Sequence, residues 1–351
     1  MAVTRETLHL LHGLRIQIDD TVSAVTEDLV RAWANGWQLV VRDWEAAVGQ
    51  LESLRSDGKW PTTSQVVRAE KAQAALEATY KGLQQLTDEA GVRILGGVGE
   101  VVQAANSHLD IIASQLPQQQ QAVARAYMNR ADTGQIREIV TRTQEQVTKT
   151  LFPLPGDSFT TIRNTLVRGV AQGTNPRAVA RQMVRGVYAD YAASLNRAMV
   201  VARTEMLDAH RVAAAAQQQA NAKLLEGWQW AAALDERTCP ACWAEHGNIY
   251  PLEVGGPDDH HQGRCARVAV VRSWKDLGYD VPEPASLMPN AQVRFDALGE
   301  DKQLAIMGPA RLQALQSGQA TLADMSTRRS NIGWRDSIGV TRVGDLPGGR
   351  T

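Results

Sequence analysis

The residues able to do chemistry are gathered in one stretch, Trp228 to Arg267. All three cysteines of the 351-residue chain, Cys239, Cys242 and Cys265, lie within it. Cys239-Pro240-Ala241-Cys242 is a CxxC pair, and the adjacent His260 and His261 precede Cys265. Two thiolates from one tight turn, an imidazole and a third thiolate make a tetrahedral donor set of the kind Zn²⁺ prefers. Three other readings compete. The cysteines can be small buried hydrophobes. The CxxC can be a redox pair, but that motif sits at the start of a helix in a βαβ unit, and no such unit is legible here. It can be a disulfide, but three cysteines leave one over. The N-terminus, MAVTRETLHLLHG, also lacks the basic region and apolar block of a secretory signal, so a reducing compartment is expected. The pattern favours structural zinc. A catalytic zinc is disfavoured, because four protein ligands leave no open position for water.

The elements that position this stretch read as short β-structure. Trp228 to Ala231 alternates like a strand, Gly247 to Pro251 follows a turn as a second strand, and Val268 to Val271 is a buried third. Asp235-Glu236-Arg237-Thr238 turns into the CxxC pair, where Asp235 can accept backbone N–H bonds. A hairpin this small has little core and is expected to depend on a metal.

The rest is mainly helical. From Ile18 to Leu51 apolar residues recur at spacings of three and four, and the stripe includes Trp33, Trp37 and Trp44. One continuous helix over residues 4–55 would be about 75 Å long at 1.5 Å per residue, with Gly36 and Gly49 as places to bend. The three tryptophans read as core or interface anchors. Further helical segments run to about residue 150, and residues 1–151 read as an elongated helical bundle. His9, His12 and His108 are scattered along it and read as ordinary surface or partly buried histidines.

Phe152-Pro153-Leu154-Pro155-Gly156-Asp157 ends helices on both sides and marks a boundary. A second domain is expected over 158–273: helices, broken at Gly173-Thr174-Asn175-Pro176, then a long helix over Asp190 to Ala222 and the zinc-stapled β-hairpin. After Trp274 a loosely ordered segment, 274–351, carries short helices near Phe295 to Leu304 and Arg311 to Leu315, and its last four residues read as disordered.

Charge is informative locally. The whole chain has a formal net charge of −1, so no global basic field points to nucleic acid. Between Thr160 and Arg211, however, stand eight arginines, no lysine and three acids, Asp190, Glu205 and Asp208. Arg177, Arg181 and Arg185 share a helix face at spacings of four. An anionic partner, either DNA phosphate or an acidic protein surface, competes with a simple solvated face. Arg203, Glu205, Asp208 and His210 cluster on the long helix. Their spacing suits a structural ion-pair junction with the cysteine hairpin, reaching Asp235, better than acid–base catalysis. No apolar run is long enough to cross a bilayer, so no membrane partner is expected.

The order of these features resembles a known family. GTNPRAVARQM (Gly173 to Met183), ARTEM (Ala202 to Met206), WQWAAALDERTCPAC (Trp228 to Cys242), HGNIYP (His246 to Pro251) and HHQGRC (His260 to Cys265) come one after another. In this order they resemble the phage Mu F-like and SPP1 gp7-like minor capsid, or head morphogenesis, proteins of tailed phages. The segment Leu304 to Leu315 is similar to the tail piece of that family's pattern, and the likeness covers a little under half of the chain. The family pattern ends its cysteine region in His-Pro-x-Cys-Arg-Cys; here Gly263 stands at the first of those cysteines. The resemblance therefore implies Cys239, Cys242, His260 and Cys265 as ligands of a structural Zn²⁺, with His261 as the substitute for His260. It implies a virion protein at the portal vertex, present in the host cytoplasm during assembly. Its implied partners are the portal protein, a scaffold or major capsid protein, and packaged double-stranded DNA, with a link to DNA ejection. Two other function classes stand beside this one. A zinc-dependent enzyme or toxin-like effector lacks any HExxH, P-loop or GxSxG signature here, and no enzymatic activity is expected. A cellular zinc-ribbon nucleic-acid binder conflicts with the near-neutral charge.

Overall fold

A computed structural model describes residues 3–54, 61–161, 176–258, 260, 263–331 and 334–347. At 63, 66, 67, 176–184, 331 and 334–336 the backbone alone is described. The protein is mainly helical, with small antiparallel sheets. Its residues form two compact units, each assembled from separate pieces of chain: 1–19, 100–139 and 207–351 in one, 20–99 and 140–206 in the other.

The second unit is helical. Its pieces come from α1 (Arg5–Ser53), α2 (Thr63–Arg68), α3 (Glu70–Ala104), α6 (Thr133–Leu151) and α7 (Pro176–Ala220). Helix α1 is unbroken through both Gly36 and Gly49. Gly36 serves close approach instead, since a Cβ there would collide with the Tyr191 hydroxyl. The tryptophan stripe is core. Trp33 and Trp44 are fully buried, and each indole N–H finds a hydroxyl: Ser194 Oγ at 2.9 Å and Thr79 Oγ1 at 3.1 Å. A buried indole nitrogen needs such a partner, and Ser and Thr at those positions supply it. Trp37 packs edge-on against Tyr188 and tilted against Tyr191. Where the sequence suggested two helices between Pro176 and Ala222, there is one, Pro176–Ala220. No proline interrupts this run after Pro176. Residues 162–175, which include the Gly173-Thr174-Asn175 break, lie outside the described residues.

The first unit holds the cysteines. Strands β1 (Leu225–Ala231), β2 (Ile249–Tyr250) and β3 (Ala266–Val271) form an antiparallel sheet in the order β2-β1-β3. Trp228 pairs with both Tyr250 and Ala269. Gly227 lies in the irregular step of β1 and faces the Tyr250 carbonyl so closely that no side chain fits. Leu225, Ala269 and Val271 turn to one face and pack on Ile112 and Leu116. There Gln115 completes the sheet edge, donating to the Ala269 carbonyl at 2.8 Å and accepting from Val271 N–H. Trp228, opposite Ala269, and Trp230, opposite Arg267, belong to a second core.

That second core takes in the segment after Trp274, which is not loose. Phe295, Ile306, Met307, Leu312, Leu322 and Met325 are buried with Trp228, Trp230 and Trp243 in one core. They come from α9 (Ala291–Asp296), α10 (Glu300–Met307), α11 (Pro309–Gln316) and a short 3-10 turn at Leu322–Met325. A hairpin that the sequence does not announce, β4 (Ser326–Asn331) with β5 (Trp334–Val340), comes after this turn. Its first strand, STRRSN, has no apolar alternation to reveal it. Residues 348–351 lie outside the described residues.

Candidate metal centre

Cys239 is the N-cap of the short helix α8 (Pro240–Glu245), and its sulfur accepts from Cys242 N–H at 3.4 Å. Pro240 at the first helical position has no N–H to leave unpaired. The CxxC pair thus opens a helix, as redox pairs do, but the neighbouring sheet is wholly antiparallel and contains no βαβ unit. The three cysteines are free thiols.

The ligating atoms of Cys239, Cys242 and His260 lie within 4.8 Å of one another. Donors of a tetrahedral site with bonds of about 2.0–2.3 Å stand about 3.3–3.8 Å apart. The observed set needs little closing to hold a metal ion. Cys265, the residue before β3, is buried and stands outside that close group, although its thiol interacts with that of Cys242. The thiol of Cys239 is held down at about 4, first by the hydrogen bond from the Cys242 thiol, with His260 adding to the effect. Bonding to Cys239 and Cys265, together with burial, pushes Cys242 up. His261 lies outside the described residues.

The loops carrying these donors are braced. Asp235 and Arg264 form a two-pronged pair at 2.7 and 2.8 Å. Asp235 also accepts from Thr238 Oγ1 at 2.9 Å and from Arg237 N–H at 3.1 Å. The Arg264 guanidinium is the main reason its carboxyl lies well below the usual carboxylate range. One ion pair thus ties the turn before Cys239 to the residue before Cys265. Gly263 N–H donates to the His260 carbonyl at 2.9 Å, which turns His260 back toward the cluster. From α7, Arg211 donates to the carbonyls of Gly263 at 2.5 Å and Cys265 at 3.0 Å.

Of the residues expected at an ion-pair junction, Asp235 finds its partner in Arg264, inside the cysteine loops. Glu205 is buried and Arg203 half-buried on α7. Arg211 on α7 reaches these loops. Arg185 is exposed on α7, whereas the side chains of Arg177 and Arg181 lie outside the described residues.

Sequence reasoning passed over three supports. Arg267 is 2% exposed, lies 4.4 Å over the Trp228 ring, and donates to Gln218 Oε1 at 2.6 Å and to the carbonyls of Leu252 and Val254 at 3.0 and 2.8 Å. Burial lowers it to about 10. A lone arginine in the otherwise apolar strand ARVAVV is the signal that could have found it. Glu245 at the end of α8 accepts from Tyr250, Ser326 and Asn248, joining α8 to β2 and β4. His246 Nδ1 accepts from Ala232 N–H at 3.0 Å, so its proton is on Nε2, which donates to the Pro289 carbonyl at 2.9 Å.

This ordered set of loops has a counterpart among known families. Residues 160–268 match the family model of Phage Mu protein F like protein. The match spans the CxxC pair, His260, Cys265 and Arg267, and it includes all of α7. The Mu F-like stretch is about a third of the chain. No curated protein and no solved structure matches the chain. Among the described residues, no helix is long and apolar enough to cross a membrane.

Proposed function

We propose that this chain is a minor capsid, or head morphogenesis, protein of a tailed phage, whose Mu F-like stretch is stapled by a structural Zn²⁺. The carrying observation is the match over 160–268 together with the gathering of Cys239, Cys242 and His260 inside it. Cys265 is the fourth ligand in this proposal, since it adjoins Cys242 and comes after the His260 turn. Three thiolates and one imidazole are a closed zinc set; the ion would supply folding energy to the loops and no reaction chemistry. Arg264, Asp235 and Arg211 fit the role of holding those ligands. The protein acts as a structural and interaction protein, with no enzymatic activity.

Its partners in this proposal are the portal protein and a scaffold or major capsid protein, and it resides at the portal vertex of the virion after assembly in the host cytoplasm. The arginine face of α7, Arg177, Arg181 and Arg185, meets an anionic surface there, either the portal or packaged double-stranded DNA. Co-expression with the portal protein of the same phage tests this. The expected result is co-purification that survives nuclease and weakens when Arg177, Arg181 and Arg185 are changed together to Gln. Loss of the portal at all salt concentrations, with DNA binding that falls steeply as salt rises, would instead favour a nucleic-acid role.

A further inference from the structure

A cavity of about 330 Å³ opens within the unit formed by residues 1–19, 100–139 and 207–351. Much of its wall is apolar: Leu8, Leu11 and Ile18 from α1, Val268 from β3, and Met288. Polar groups enter it in two places.

At one place stand two imidazoles, His108 and His210, with ring centroids 5.6 Å apart. His210 is satisfied, its Nδ1 donating to the Val101 carbonyl at 2.8 Å. His108 is 2% exposed, and neither of its ring nitrogens has a partner. Burial, with His210 and Arg267 nearby, holds it down at about 3, so the ring is neutral and presents one N–H and one lone pair. Buried polar atoms are normally matched, and an orphaned imidazole lining a cavity is matched most simply by a ligand.

At the other place stands Arg15. Of the three other arginines of the lining, Arg211 is committed to the Gly263 and Cys265 carbonyls, Arg264 to Asp235, and Arg294 is exposed to solvent. Arg15 forms no hydrogen bond or ion pair among the described residues. Asp19 and Asp235 contribute to the field around it. Arg15 is the half-buried uncommitted guanidinium of the lining, which suits a monoanion, and its planar fork matches a carboxylate. The nearby acids disfavour a dianion such as a phosphate monoester.

We propose that this cavity binds a small amphipathic carboxylate, with its head on Arg15, its apolar body along the Leu8–Leu11–Ile18 face, and its far end near His108. Arg15 and His108 lie outside the Mu F-like stretch and Val268 ends it, so the site joins this chain's own N-terminal residues to the matched segment.

Titration calorimetry of the full chain with decanoate tests the proposal, with decyltrimethylammonium as the cationic control and 10-hydroxydecanoate as the probe of the far end. Saturable one-to-one binding of decanoate is expected, weakened about tenfold or more by Arg15→Met. Arg15→Gln serves if that variant does not fold. The terminal hydroxyl of 10-hydroxydecanoate should improve binding over decanoate, and His108→Leu should remove that preference. Absence of saturable decanoate binding to the wild type would overturn the proposal. So would equal binding of the cationic control, or unchanged affinity after loss of Arg15. A hydroxyl preference that survives His108→Leu would overturn the role of His108.

Discussion

At the residue scale, the cysteine cluster depends on side chains that do not ligate. Asp235 secures the turn before Cys239 and clamps Arg264 beside Cys265. Asp235→Asn keeps an oxygen for the Thr238 hydroxyl but gives up the charge pairing. The pair is partly exposed, so the cost to stability is expected to be within about 1 kcal/mol. Metal affinity is expected to fall about tenfold, because outer-shell partners hold the ligands in place. Competition against a chromophoric chelator measures it, and an unchanged affinity would show that the clamp does not set ligand geometry. The buried histidines make a second prediction. His108 and His210 are held at about 3 and about 4, chiefly by burial, against about 6.5 in the unfolded chain. Between about pH 6.5 and 4 the unfolded state binds more protons, so stability falls as pH falls through that window. Each histidine contributes at most about 1.4 kcal/mol per pH unit. The difference in stability between wild type and His108→Leu, measured from pH 7 to 5, should therefore shift in favour of the variant as acid is added. Both proteins keep the cysteine cluster, so the difference isolates the histidine. A pH-independent difference would contradict the assignment of His108 as a neutral buried ring.

At the element scale, the sheet β2-β1-β3 is braced by polar groups as well as by its two apolar cores. Arg267 on β3 fixes the 252–256 loop through its carbonyls and lies over Trp228 of β1. Arg267→Met fills the volume but strands Gln218 Oε1 and the carbonyls. A loss of about 2–4 kcal/mol in stability is expected by chemical denaturation, and a loss under 1 kcal/mol would mean that these groups find water instead. The elements also show what sequence can express. The α1 stripe and its tryptophans were legible because a period of 3.6 is local information, as was the CxxC–His–Cys order. The β4–β5 hairpin was not, because its strands gain stability from Glu245 and the Met325 core, about eighty residues away for the Ser326–Glu245 bond, and not from their own alternation. The fusion of two expected helices into Pro176–Ala220 was hidden because nothing between Val187 and Asp190 had to break; propensity alone left the question open.

At the scale of the whole molecule, each compact unit is built from separated stretches of chain, a fact that composition and spacing cannot express. The cavity is the clearest case. His108 reads as an ordinary histidine until α1, α4 (Ser107–Ala113) and the sheet bring it to one site with Arg15. The Mu F-like match over 160–268 ties the cysteine loops to the phage-head reading, and within it Cys239, Cys242 and His260 form a cluster that could hold a metal ion. The most direct test is the metal content of the purified full chain, measured by inductively coupled plasma mass spectrometry together with thermal unfolding before and after chelation. About one zinc per chain is predicted, with a marked drop in unfolding temperature when it is stripped or when Cys239 is changed to Ser. Protein purified without metal, whose unfolding temperature is lowered neither by chelation nor by Cys239→Ser, would contradict the account.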